Sequence, residues 1–263
     1  TTVVPADRPV RKLAETGSME MTDVEFSYPG AEEPVLHDIN LSLRPGTTTA
    51  VIGSTGSGKT TLANLVPRLY DVTGGSIKLD GVDIRRLDMD LLWSRIGLVP
   101  QKPYLFSGTV ASNLRYGNPE ATDDQMWAAL ATAQAADFVE QMDGGLEAPI
   151  AQGGSNVSGG QRQRLSIARA LIKKPEIYVF DDAFSALDVA TDARLRAALA
   201  AETRDAAVLI VAQRVSTIRD ADQIIVLDSG RIVGRGTHAE LLAECTTYQE
   251  IVSSQMSAEE AAA

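Results

Sequence analysis

The stretch Gly53-Ser54-Thr55-Gly56-Ser57-Gly58-Lys59-Thr60-Thr61 contains the pattern G-x-x-x-x-G-K-[ST]. It follows the short β-rich run Thr49–Ile52 and precedes a helical stripe of Leu62, Leu65, Val66 and Leu69. Ordinary residue usage would produce roughly 0.01 such matches by chance in a chain of this length. The run is therefore read as a phosphate cradle and not as a merely flexible glycine loop. Glycines let successive backbone N–H groups converge on phosphate oxygens, and the start of the following helix adds positive potential. Lys59 is placed to reach terminal phosphates, and the Thr60 hydroxyl to ligate Mg²⁺.

Working outward, Ile177-Tyr178-Val179-Phe180-Asp181 is a buried-strand pattern that ends in an acid. A carboxylate at a strand's C-terminal end suits a metal held through water, so Asp181 joins Thr60 as a candidate Mg²⁺ residue. The apolar runs Ile177–Phe180, Val208–Val211 and Ile224–Leu227 alternate with helical stretches, which predicts a parallel sheet covered on both faces. Met19–Tyr28 and Ile39–Leu43 alternate in polarity, and Asp80-Gly81 sits between Ile77/Leu79 and Val82/Ile84 as a hairpin signal. The region from about Thr109 to Leu171 reads as helical. Thr122 with Gln125, and Thr237 with Glu240, form capping-box patterns. The expected fold class is α/β, with a mostly parallel sheet, an N-terminal antiparallel β subdomain and a helical subdomain inserted in the middle.

The 263 residues suit one large domain, and 44% apolar with 22% charged residues excludes a disordered chain. Lys plus Arg number 24 against 35 Asp plus Glu, a formal charge of −11, which disfavours bulk nucleic-acid binding. One cysteine, Cys245, excludes an intrachain disulfide framework and any multi-cysteine zinc site; two histidines are too few for a histidine-based site. The longest wholly apolar run, Ala206–Ala212, falls far short of the roughly 20 residues a bilayer-spanning helix needs. The polar opening, with no start methionine, is expected to be a linker over 1–18 from a preceding, absent transmembrane domain. The folded unit is expected over 19–248, with its helical subdomain over about 102–172. The tail 249–263 is expected to be loose.

Between the two phosphate-site elements lies Asn156-Val157-Ser158-Gly159-Gly160-Gln161, running into a helix with Arg162, Arg164 and Arg169. Here the chain resembles the ATP-binding cassette superfamily, from about Met19 to Tyr248, and with it a P-loop NTPase core. The resemblance implies that Tyr28 stacks on adenine, that Gln101 is the Q-loop residue with a catalytic and metal-contacting role, and that Ser185-Ala186-Leu187-Asp188 is the D-loop. It implies ATP and Mg²⁺ as ligands. It further implies that Ser158–Gln161 serves an ATP bound to a second cassette in a head-to-tail dimer. Each residue has a plainer reading: Tyr28 as a strand aromatic, Gln101 as an ordinary loop residue, Ser158 as a helix cap. The run Tyr104-Leu105-Phe106-Ser-Gly-Thr-Val-Ala-Ser-Asn113 is similar to exporter cassettes. There the triplet beside Gln101 is either core or a docking surface for a membrane domain's coupling helix, which would place the unit at the cytoplasmic face of a membrane.

Two departures from the family bear on mechanism. Asp182 stands where the family carries its catalytic Glu, shorter by one C–C bond, about 1.5 Å. Gln213 stands where exporters carry His; an amide still donates a hydrogen bond but cannot become cationic or pass a proton. Gln152 also replaces a usual Glu. The combination resembles the degenerate half of a heterodimeric exporter, weakly hydrolytic by itself and dependent on a non-identical partner. The competing readings are a soluble cassette ATPase outside transport and a module that binds ATP without hydrolysing it.

Overall fold

The computed structural model describes residues 3–14 and 16–262, with side chains of the last helix described to Met256. The chain begins with β1 (Met19–Phe26), β2 (Leu36–Leu43), β3 (Thr48–Ile52), α1 (Lys59–Leu65), β4 (Gly74–Leu79), β5 (Val82–Asp83), α2 (Met89–Arg95) and β6 (Ile96–Val99). A central insertion carries β7 (Gly108–Thr109), α3 (Val110–Arg115), α4 (Asp123–Thr132), α5 (Ala136–Gln141), β8 (Pro149–Ile150) and α6 (Gly159–Leu171). The chain continues through β9 (Ile177–Asp181), α7 (Val189–Glu202), β10 (Ala207–Val211), α8 (Val215–Ile218), β11 (Gln223–Asp228), β12 (Arg231–Gly236), α9 (His238–Glu244) and α10 (Thr246–Ala262).

The larger sheet has the order β12-β11-β3-β10-β9-β6 and is parallel except for β12 at one edge. Its central strands are the continuous apolar runs of the sequence, and every residue of β9 is buried. Helices on both faces explain why these strands read as unbroken hydrophobic runs. The second sheet, β2-β1-β4-β5, is antiparallel, as the alternating segments predict. Its hairpin turns at Asp80 and Gly81 with φ 48° and 80°, the paired left-handed residues of a type I′ turn.

The alternation in β1 is not strict: Met19, Met21, Val24 and Phe26 are the buried residues, a change of parity after Met21. A bulge produces it, with Asp23 at φ 47° and a register shift between Met21 and Val24. The central region is also less helical than its composition predicts. Residues 142–158 form turns, two single 3₁₀ turns (Gly145–Glu147 and Gln152–Gly154) and the short β8 but no α-helix, because Gly144, Gly145, Gly153 and Gly154 all take positive φ and Pro149 cannot donate to a helix. Leu69 drops out of the α1 stripe and is 45% exposed; the helix ends before Pro67, and Arg68 turns at φ 56°.

The termini differ from expectation as well. The tail after 248 is not loose: α10 runs to Ala262, with Ala263 outside the described residues. Tyr248, fully buried, bonds His238 Nδ1 through its hydroxyl at 2.8 Å, and Ile251 and Val252 pack beside it. Of the expected linker, Thr1, Thr2 and Glu15 lie outside the described residues. Val10 bridges Leu87, and Ser18 N–H donates to Asp80 at 3.0 Å, so this segment is strapped to the domain.

Arg68 secures the strap from below. Its side chain is 1% exposed and donates to both Asp71 oxygens at 2.6 and 3.1 Å, to the Ile84 carbonyl at 3.2 Å and to the Val4 carbonyl at 2.7 Å. Breaking a buried, fully bonded ion pair costs about 3–5 kcal/mol. Arg68→Ala is expected to lower the urea unfolding midpoint by that much stability. A midpoint equal to wild type would show that Asp71 and the two carbonyls find other partners.

Candidate nucleotide site

Strand order decides which loops meet. β3, β10, β9 and β6 are consecutive neighbours, all parallel, so their C-terminal ends lie along one edge. Val51 is in register with Val211, Val211 with Asp181, and Phe180 with Val99. The residues just beyond those ends are Gly53–Lys59, Gln213, Asp182 and Gln101. Residues separated by up to 160 positions thus share one crevice at the carboxyl ends of the strands, where ligands bind in open α/β sheets.

The cleft has a volume of about 220 Å³ and is lined by the loop residues Thr55, Gly56 and Gly58, by Lys59, Thr60 and Thr61 at the head of α1, and by Gln101, Asp181, Asp182 and Gln213. The loop's close packing admits only glycine at its first position: a Cβ on Gly53 would lie 2.0 Å from the Leu227 carbonyl. Gly58 takes φ 103°, a conformation that turns the chain directly into α1. Ser57 is buried. The Lys59 ammonium folds back on its own loop and donates to the carbonyls of Gly53 and Ser54 at 2.8 and 2.7 Å. Burial pulls its pKa below the usual lysine range, while Asp182 and Asp181 oppose that shift.

Thr60 Oγ1 donates to Asp181 Oδ1 at 3.2 Å. Burial pushes the Asp181 carboxyl up, the Thr60 hydrogen bond opposes this, and the charge of Asp182 adds to it. A 3% exposed carboxylate that is destabilised as an anion beside a hydroxyl oxygen is a fit for a hard divalent cation, which takes oxygen ligands. Thr60 and Asp181 would hold Mg²⁺, whose charge would neutralise phosphate oxygens in the same cleft.

Asp182 is the junction of the site. Its Oδ2 accepts from Gln101 Nε2 at 3.2 Å and from Gln213 Nε2 at 3.0 Å. Its backbone takes φ 47°, a left-handed position in which a short Asp side chain is among the better-tolerated ones, and its N–H donates to the Val211 carbonyl at 2.8 Å. Ser185–Asp188 follow directly, with Ser185 Oγ donating to the Asp182 carbonyl at 3.0 Å. Asp188 caps α7 by accepting from Thr191 N–H at 2.9 Å, and that hydrogen bond holds its carboxyl below the usual range.

The remaining sequence-selected residues fall into three places. Tyr28 reaches the back of the loop: its hydroxyl lies 2.9 Å from Thr61 Oγ1, and its ring packs edge-on against Phe26 and Tyr70 at 4.9 and 5.4 Å. Ser158–Gln161 open α6 with a capping box, Ser158 N–H donating to Gln161 Oε1 at 2.9 Å and Gln161 N–H donating to Ser158 Oγ at 3.2 Å. These four residues do not line the Lys59 cleft. They lie instead beside Ser185–Asp188: a Cβ on Gly160 would sit 3.3 Å from the Ala186 carbonyl, with Leu187 next to it. The triplet beside Gln101 splits, for Leu105 is fully buried while Tyr104 and Phe106 are 46% and 42% exposed. Phe106 and Tyr116 bring their rings to 4.5 Å.

Sequence reasoning missed Val35 and Val211 as cleft walls and Gln255 as a neighbour of Gln213. No local signal marks them, since each arrives only through tertiary packing.

A parallel sheet with a glycine-lysine loop after its central strand, an acid at the end of a neighbouring strand and an inserted helical subdomain defines a nucleotide-binding cassette of the P-loop class. Residues 36–185 match the ABC transporter family, and the chain belongs to that family. It is 58% identical over 243 residues to an uncharacterized ABC transporter ATP-binding protein of Mycobacterium tuberculosis (strain CDC 1551 / Oshkosh), covering 91% of this chain and 41% of that protein. It is 46% identical over 242 residues to an ATP-dependent lipid A-core flippase of Thiobacillus denitrificans, covering 92% and 42%. Among solved structures, a bacterial Atm1-family ABC exporter with ATP bound superposes with a TM-score of 0.92 at 33% identity, over 97% of this chain and 44% of the other. The chain thus spans about two fifths of the length of these relatives. Among the described residues no helix is long and apolar enough to cross a membrane.

Proposed function

We propose that this chain is the ATP-hydrolysing cassette of a membrane exporter, with an attenuated ATP site of its own. The observation that carries the reading is the hydrogen bond between Gln213 Nε2 and Asp182 Oδ2, 3.0 Å. The two residues that depart from the family's usual His and Glu meet at one carboxylate oxygen. That oxygen also accepts from Gln101. With that oxygen occupied, and on a side chain about 1.5 Å shorter than Glu, the carboxylate is poorly placed to take a proton from an attacking water.

In this reading Gly53–Thr61 and Lys59 bind the phosphates of ATP, Thr60 and Asp181 hold Mg²⁺ with Gln101 beside them, and Tyr28 meets the adenine. Ser158–Gln161 lie outside the chain's own cleft because they complete the site of a second, non-identical cassette in a head-to-tail pair. The free N–H groups at the start of α6 would face that partner's phosphate. Tyr104 and Phe106, exposed beside Gln101, present an apolar face to a coupling helix of the transmembrane domain, so the cassette works at the cytoplasmic side.

Ser158→Arg in the assembled transporter tests the division of labour. Losing an oriented donor at a phosphate costs on the order of 100-fold in rate. Steady-state ATPase is expected to fall by about that factor, while this chain's own affinity for a fluorescent ATP analogue stays at the wild-type value. Equal loss of affinity and turnover would place Ser158 in the chain's own site and end the asymmetric reading.

A further inference from the structure

We propose that Gln255, on α10, is a positioning residue for the ATP site, holding the Gln213 loop through both ends of its amide. The inference rests on the assignment of Gln213 to that site. Gln255 Nε2 donates to the Gln213 carbonyl at 2.7 Å, and its Oε1 accepts from Val215 N–H at 2.8 Å. Two bonds from one planar amide bracket Arg214 and fix the backbone of three consecutive residues at once. The loop they fix is the one whose Gln213 side chain reaches Asp182 at 3.0 Å.

The clamp stands on a rigid base. Two turns earlier on α10, Tyr248 is fully buried and tied to His238 at 2.8 Å. Ile251 and Val252, on the same helix, pack in the cluster that also holds Val215, Ile210 and Ile52. The near end of α10 is therefore set by the core of the sheet, and Gln255 transmits that setting to the loop. Helix and phosphate loop face each other across a cleft of about 480 Å³, with Gly53, Ser54 and Thr55 on one wall and Thr247, Glu250, Ile251 and Ser254 on the other. Gln213 and Gln255 line the same cleft, so the clamp joins its two walls.

α8 is only one turn long and begins immediately after Arg214 without a side-chain cap. Val215 N–H is a first-turn donor that an isolated helix leaves unsatisfied, and Gln255 supplies its acceptor. Without the amide, the loop keeps its strand anchor at Val211 but loses the contact that sets the direction of the Gln213 side chain. Gln255 thus acts on nucleotide turnover through Gln213, with no contact of its own to the phosphate-binding residues Lys59 and Thr60.

The test uses Gln255→Ala and Gln255→Glu in the full chain, with MgATP as probe, reading single-turnover hydrolysis, MgATP affinity and hydrogen exchange at the Val215 amide. Gln255→Ala is expected to raise hydrolysis roughly 10-fold, because a Gln213 amide no longer aimed at Asp182 leaves that oxygen free for water, with affinity within about two-fold of wild type, and to expose the Val215 amide to exchange. Gln255→Glu keeps the acceptor for Val215 but loses the donor to the Gln213 carbonyl. It is expected to retain protection at Val215 and still hydrolyse at the alanine variant's raised rate. In a Gln213→Ala background, Gln255→Ala is expected to add less than about a two-fold effect, since it acts through that residue. A Gln255→Ala rate at or below wild type, or a gain undiminished in the Gln213→Ala background, overturns the proposal. A wild type that neither binds nor hydrolyses MgATP overturns the ATPase reading, and the proposal with it; an active wild type indifferent to Gln255 overturns the clamp alone.

Discussion

Asp182→Glu combined with Gln213→His is expected to raise single-turnover ATP hydrolysis by this chain on the order of 100-fold. Glu carries its carboxylate about 1.5 Å further into the cleft, and a misplacement of about 1 Å is enough to cost two orders of magnitude. Histidine contributes a ring that can hold or pass a proton, which the Gln213 amide cannot. The geometry adds a third reason: Asp182 Oδ2 now spends its acceptor capacity on Gln101 and Gln213 together. Removing the Gln213 amide frees that oxygen for water. One cost opposes the gain, because residue 182 sits at φ 47° and a longer side chain is less at ease there than Asp. The melting temperature of the double variant is therefore measured alongside its rate. An unchanged rate in a folded variant would show that these two positions do not limit hydrolysis.

Lys59→Ala is expected to weaken MgATP binding on the order of 100-fold, read by titration with a fluorescent analogue. Lys59 is the one cation among the described residues lining the cleft, and it faces Asp181 and Asp182. A phosphate oxygen about 4 Å from the ammonium would interact with it by about 4 kcal/mol at an effective dielectric near 20, and solvent on the open side would screen part of that. Without the ammonium, a polyphosphate would meet two carboxylates and only backbone N–H donors. Burial already lowers the ammonium's pKa, so the group is held where solvation is poor and a phosphate is its best partner. Lys59→Arg serves as control: the charge is kept, but the larger head does not fit the two carbonyl contacts that Lys59 makes at 2.8 and 2.7 Å. Wild-type affinity in Lys59→Ala would remove the loop from the binding site.

The loop at the carboxyl end of β3 was legible because its sequence requirements are local. Gly53–Thr61 needs close backbone approach and a following helix, and both demands are written in adjacent residues. The capping boxes at Thr122/Gln125 and Thr237/Glu240 were legible for the same reason, each being a contact across one helical turn. What escaped was non-local or depended on backbone sign. The bulge at Asp23 changes which face of β1 is buried without altering composition. The glycines after Met142 break a segment whose apolar content reads as helix. The tail reads as loose because its periodicity is weak, yet Tyr248, Ile251 and Val252 anchor α10 against the sheet.

By itself the sequence determined the fold class and marked the loop proposed to hold phosphate. Those follow from hydrophobic runs of strand length and from a glycine spacing that only a phosphate-binding turn requires. Tertiary structure alone decided that Gln101, Asp182 and Gln213 share one carboxylate oxygen, that Ser158–Gln161 lie away from it, and that Gln255 reaches back to Gln213. The reason is strand order: loops 30 to 160 residues apart become neighbours only when β3, β10, β9 and β6 pair in that sequence, and no local preference encodes which strand lies beside which.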